Sequence, residues 1–203
     1  METKMYKDDV PSIRDFVFNT GPKGLDSLFY FVIGSIRVQF LTLPAVTNSL
    51  IEEGLLSHYC WGNKITAYED YNLMDKDKFM EDVQNPTKST IALSQELSDI
   101  RGIGITKASF FLQLLGRDTA CLDVHNLKKL GYNSKKFSKR DSAEEYHETV
   151  NVEGSEYWWD SWCETIYKGY PNHFSSAEEI SKLHLAIITQ EVTESFKKKE
   201  MTV

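Results

Sequence analysis

Residues 97–131 read LSDIRGIGITKASFFLQLLGRDTACLDVHNLKKLG. Ala108, Phe111, Leu112 and Leu115 recur at spacings of three and four, the period of one buried helical face, and Gly116 is a natural C-terminal stop. Upstream, Pro86 is expected to open a helix in which Ile91, Leu93, Leu97 and Ile100 share a broad apolar face, ending at Gly102. Two helices thus flank the turn Gly102-Ile103-Gly104. Downstream, Asp123 is placed to cap a helix running through Leu130 and closed by Gly131. A turn without side chains at Gly102 and Gly104 lets an anion approach the backbone, where the first amides of the next helix, at Ile105 and Thr106, and the positive end of its dipole favour a phosphate. Lys107 is close enough in sequence to assist. The same pattern, taken alone, also describes a plain tight corner between two helices.

Helical patterning extends outward in both directions. The N-terminal part predicts helices at Ser12 to Asn19 after Pro11, at Asp26 to Leu41 with Asp26 as cap, and at Ala45 to Ser57 after Pro44. Residues 58–76 read as a loop, with Asp75 capping a helix from Lys76 to Gln84. Beyond the basic loop Asn133 to Arg140, helices are expected at Ser142 to Val150, Ser155 to Tyr167, and Ser176 to about Lys197, the last started by a capping box from Ser176 to Glu179 or Ser175 to Glu178. No segment sustains strand alternation and no repeat is present. The expectation is an all-α domain spanning 1–203, in one unit or two helical lobes.

The chain has 203 residues and is 41% hydrophobic, enough for a substantial core. The longest apolar stretch, Phe29 to Pro44, is interrupted by Arg37 and Gln39 and falls short of the roughly 20 residues that cross a bilayer, so no membrane span is expected. The opening METKMYKDDV lacks the apolar core of a secretory signal, and an intracellular location is expected. Cys60, Cys121 and Cys163 are odd in number and widely spaced, which argues for reduced, mostly buried thiols over disulfides or a structural metal site. The net charge is −7, but residues 101–140 carry nine basic and two acidic side chains. A basic segment inside an acidic chain is either a solvated surface or a local polyanion-binding face.

The combination of hairpin and later aspartate resembles the helix-hairpin-helix (HhH-GPD) base-excision DNA glycosylase superfamily. Its hairpin runs roughly Leu-Pro-Gly-Val-Gly, followed by an alanine and, further on, a Val-Asp-Val/Thr-His at the start of a later helix. Here the matching residues are Gly102-Ile103-Gly104, Ala108 and Leu122-Asp123-Val124-His125. The likeness covers about 35 of 203 residues, with the hairpin motif at about 89–116 and the catalytic segment at about 121–131. It implies a helical DNA glycosylase-like domain that binds double-stranded DNA and acts on an extruded base. Asp123 would be the catalytic carboxylate. Breaking an N-glycosidic bond passes through an oxocarbenium-like sugar, which a carboxylate beneath the ring stabilises while orienting the attacking water. Asp123 has a purely structural role open to it as well, as a helix cap.

Duplex contacts are expected from Arg101, Gly102, Gly104, Ile105, Thr106, Lys107, His125, Lys128, Lys135 and Lys136. Two departures from the family pattern matter. Members that also cut the backbone carry a lysine two residues after the second glycine, and here that position is Thr106. Lys107, one place on, is turned by about 100°. A monofunctional hydrolase with an intact strand is therefore expected. Arg101 replaces the usual proline and offers a phosphate contact instead. No iron-sulfur cluster is expected, since the four-cysteine cluster that some members of the family carry near the C-terminus is absent, and Cys121 with His125 makes a poor metal pair. Among the aromatics, Trp158 and Trp162 share a face assigned to the core, whereas Trp159 lies on another and is the candidate for stacking on a base. His58, His147, His173 and His184 have no evident partners in sequence. No obligate protein partner is evident. Three rivals stay open: a hairpin module that binds DNA without catalysis, a base-modifying enzyme on the same scaffold, and a protein-interaction domain whose basic stretch binds an acidic partner.

Overall fold

The computed structural model describes residues 5–133, 135–137 and 142–191, and these are all-helical, with no strand among them. Lys139 and Arg140 of the basic loop lie outside the described residues, as does the expected last helix beyond residue 191. The first helix, α1 (Met5–Thr20), begins about two turns before its expected start and runs through Pro11. Met5, Val10, Ile13 and Val17 bury one face, and the Tyr6 amide near its start is taken up by Asp160 Oδ1 at 3.1 Å. Then α2 (Pro22–Gly34) starts on its proline, not on Asp26. Asp26 instead accepts hydrogen bonds from Tyr71 at 2.9 Å and Lys76 at 2.7 Å. Arg37 takes a left-handed φ of 55° and ends the expected long helix early, turning the chain through the short 3-10 turn Phe40–Thr42 into α3 (Leu43–Glu53).

Where a loop is expected there is a further helix, α4 (Asn63–Asn72), which buries Lys64, Ala67 and Tyr71 at spacings of three and four. α5 (Lys76–Gln84) is capped as expected, Asp75 accepting from the Lys78 amide at 3.1 Å. Pro86 precedes the next helix by a turn rather than opening it: α6 is Thr90–Ser98 and α7 is Ile105–Leu114, the two packing as the predicted pair. Arg117, just past α7, ties it to the α5–α6 connection by donating to the carbonyls of Val83, Asn85 and Lys88. α8 (Val124–Lys129), α9 (Ala143–Asn151), α10 (Gly154–Gly169) and α11 (Ala177–Ile188) follow. At the head of α11 neither expected box forms, and Glu179 reaches back to the Ser175 amide at 2.7 Å.

Packing divides into two clusters. The larger gathers the inner faces of α1 to α7, α10 and α11 around Phe29, Phe31, Leu112 and Ile187. The smaller joins Ile105, Leu122, Leu127, Tyr146, Val150 and Trp158, so it rests on the start of α7, α8, α9 and the second turn of α10. Residues 120–123 run between the two. Cys60, Cys121 and Cys163 are free, buried thiols. Among the described residues no helix is long and apolar enough to cross a membrane.

Candidate active site

Asp123 sits at the N-terminus of α8 in extended backbone, and its position is fixed from both sides. Oδ1 accepts from the amides of His125 at 2.9 Å and Asn126 at 3.0 Å, the predicted cap. Oδ2 accepts from the Trp162 indole at 2.9 Å. The segment leading to it is held by three buried side chains. The Tyr146 hydroxyl accepts from the Leu122 amide at 2.8 Å and donates to the Ala120 carbonyl at 2.7 Å. Gln113 Oε1 accepts from the Cys121 amide at 3.2 Å, and Asn126 Nδ2 donates to the Cys121 carbonyl at 2.9 Å. Such support holds the carboxylate to a single geometry.

Asp123 lines a cavity of about 480 Å³, within the range of roughly 300–1,000 Å³ usual for small-molecule sites. The walls come from widely separated parts of the chain. Phe31, Ser35, Gln39 and Phe40 contribute from the end of α2 and the turn beyond it, Lys107 and Phe110 from α7, Trp162, Ile166 and Tyr170 from α10 and its end, and His184 from α11. Lys107 Nζ donates to Ser35 Oγ at 2.7 Å and lies 5.3 Å from the centre of the Phe110 ring. Ser35 in turn donates to the Val32 carbonyl at 2.6 Å. Burial pushes the Cys121 thiol up to about 12, so this residue of the cavity wall is not an available thiolate.

Three sequence expectations are corrected here. Lys107, expected to point away, is on the cavity wall with Asp123, whereas Thr106 is off the cavity and turned toward Tyr146. Trp159, the candidate stacking residue, is 2% exposed and spends its indole N–H on Ser181 Oγ at 2.9 Å. Trp162, assigned to the core, lines the cavity instead. The reason is that α10 packs on both sides, against α8 and α9 and against α1 and α11, so adjacent tryptophans are buried in different clusters.

The hairpin also divides its work. Gly102 has a φ of 89°, and a Cβ there would come within 2.4 Å of the Asn63 carbonyl oxygen, so its missing side chain serves packing against α4. Gly104 is open, with nothing near the place of a Cβ, and leaves the Ile105 and Thr106 amides at the head of α7 without intrahelical acceptors. Arg101 is not free for a phosphate. Its guanidinium grips Asp70 at 2.7 and 2.9 Å and its amide donates to the same carboxylate, which is thereby held down to about 2. Lys136 is paired with Glu145 at 2.5 Å. Lys129 is tied to Ser161. Lys128 and Lys135 are exposed and have no ion-pair partner among the described residues, and His125 is exposed at the cavity edge. Ser35, Trp162 and His184 are site residues that sequence reasoning missed; only the i, i+4 aromatic spacing in α10 hinted at one of them. Among the described residues no group of three or more His, Cys, Asp or Glu side chains gathers to hold a metal. Compared with known proteins, the chain matches no family model, no curated protein and no solved structure.

Proposed function

We propose that this protein is a DNA N-glycosylase that hydrolyses the glycosidic bond of a damaged or modified base extruded from duplex DNA. The observation that carries the reading is a carboxylate, Asp123, held by three hydrogen bonds on the wall of an aromatic-lined cavity of about 480 Å³. The open amides after Gly104 take a phosphate, and the exposed Lys128 and Lys135 add a sequence-independent attraction. An extruded base enters between Phe40, Trp162 and Tyr170. As the bond to the base lengthens, positive charge grows on the sugar, and Oδ2 of Asp123 stabilises it while water attacks the anomeric carbon. The indole of Trp162 fixes that oxygen in place.

The position of Lys107 favours a second reading, in which its amine rather than water attacks the anomeric carbon. The base then leaves with the bonding electrons, and opening of the sugar ring yields an imine linking Nζ to the deoxyribose, from which strand cleavage follows. A duplex panel carrying uracil, oxidised purines and alkylated bases tests both. Asp123→Asn should lower base release by ~10²-fold or more, with duplex binding equal or slightly tighter and stability within about 2 kcal/mol, the range of a lost cap. Borohydride distinguishes the two chemistries: no covalent adduct means water is the nucleophile, and an adduct that disappears in Lys107→Gln means the amine is. Base release that survives in a folded Asp123→Asn protein would remove the assignment. Duplex binding without release of any base in the panel would leave a non-catalytic hairpin module or a base-modifying enzyme.

A further inference from the structure

His184 is fully buried on α11, yet it forms part of the cavity wall. Its Nδ1 lies 2.7 Å from the Ile180 carbonyl oxygen, and since a carbonyl can only accept, Nδ1 carries the ring proton. Burial holds the imidazole's pKa down to about 4, so at neutral pH the ring is uncharged. Nε2 is therefore a bare lone pair, and no group among the described residues satisfies it. Aromatic rings enclose it: Phe40 at 5.5 Å, Phe31 at 5.6 Å, and Trp159 and Trp162 each at 4.9 Å between ring centres. Both indole N–H groups close enough to matter are already used, that of Trp159 by Ser181 and that of Trp162 by Asp123. A buried acceptor left without a donor is a standing cost to the fold, and His184 is the residue on the cavity wall that carries one among the described residues, where an occupant can complete the hydrogen bonding.

We infer that His184 selects the occupant of the cavity, accepting a hydrogen bond at Nε2 from an N–H on the edge of a planar heterocyclic base. This rests on the N-glycosylase reading and deepens it. With the reacting sugar held at Asp123, the far edge of the base must meet α11. A base presenting an amino or ring N–H there completes the pair, and one with that hydrogen replaced by methyl leaves Nε2 unpaired and adds bulk against four rings. Sites built around one hydrogen bond reject the analogue lacking it far more strongly than apolar pockets reject a change in size.

The test uses free bases, so it does not depend on catalysis. Adenine, cytosine, uracil and hypoxanthine, each with its N-methylated counterpart lacking the relevant N–H, are titrated into the full chain while tryptophan fluorescence is followed. In parallel, the His184 ¹⁵N resonances are recorded. At least one base should bind, its methylated counterpart should bind roughly tenfold or more weakly, and binding should shift Nε2 while leaving Nδ1 nearly unmoved. His184→Phe should erase the difference between the pair. If that variant does not fold, the ¹⁵N shift in the unaltered protein carries the test. Equal affinity for each base and its methylated partner, an unmoved Nε2 resonance, or no binding by any base overturns the inference. Base release from duplexes together with equal affinities would sink this inference alone. His184-dependent binding without any release would instead sink the glycosylase reading.

Discussion

Asp123 divides one carboxylate between two tasks, Oδ1 holding the first amides of α8 and Oδ2 accepting from the Trp162 indole beside the cavity. The first task is local, so the cap is legible from the sequence. The second joins residues 39 positions apart and is not. Trp162→Phe separates them: the cap survives, the ring still fills space, and the protein should lose no more than about 1–2 kcal/mol by thermal unfolding while any base release slows. The two hairpin glycines make the same point, because identical residues two places apart do different work. Gly102→Ala must place a Cβ against the Asn63 carbonyl at a φ of 89° and should cost about 2 kcal/mol or more. Gly104→Ala should change stability by less than about 0.5 kcal/mol, and Gly104→Val should weaken binding to all duplexes alike, which filter binding on unrelated sequences would show. Sequence-dependent loss would mean that the hairpin reads bases.

At the scale of elements, those that depend on neighbouring residues were readable. The Asp75 cap, the α6–α7 pair and the glycine ends after α7 and α8 arise from caps and periodicity within a few turns. α4 was not readable, because what makes it helical is tertiary: Lys64 is buried with its ammonium 3.4 Å from the Gly34 carbonyl, and Tyr71 stacks on Phe29 at 3.6 Å. Nor can charge counts along the chain show which cations are spent. Arg101 is clamped to Asp70 and Lys136 to Glu145, so they hold elements together and are poor phosphate ligands. Neutralising Lys128 and Lys135 together should therefore flatten the dependence of log affinity on log salt by nearly two phosphate contacts, whereas Lys136→Gln should barely alter it. A slope moved by Lys136→Gln and not by the double variant would place the duplex on another face.

For the molecule as a whole, buried titratable groups set the response to acid. His147 and His184 are both lowered to about 4 by burial, so between the ordinary histidine range and that value the unfolded chain binds more protons than the folded one. Stability contributed by the neutral rings is intact above about 6.5 and is lost as pH falls toward 4. Asp160, raised to about 6 by burial, works in the opposite sense, its contribution present at low pH and lost as pH rises toward 6. Burial raises Asp9 in the same sense as Asp160, while the hydrogen bond from Ser176 lowers Glu178 in the sense of the histidines; the two rings dominate, and unfolding temperature should fall between pH 7 and about 4.5. His147→Gln, away from the cavity, should make that fall shallower; an unchanged profile would mean the rings titrate normally. The cavity itself is a property of the entire chain, since its walls draw on residues as distant as Phe31 and His184. A chain emerging from the ribosome can build the hairpin and place Asp123 while Phe31, Phe40 and Trp162 still lack the helix that covers them. Until α11 is synthesised and docks, those rings form a bare, sticky face, so the surface that later encloses a ligand is the one a nascent-chain chaperone would have to shield.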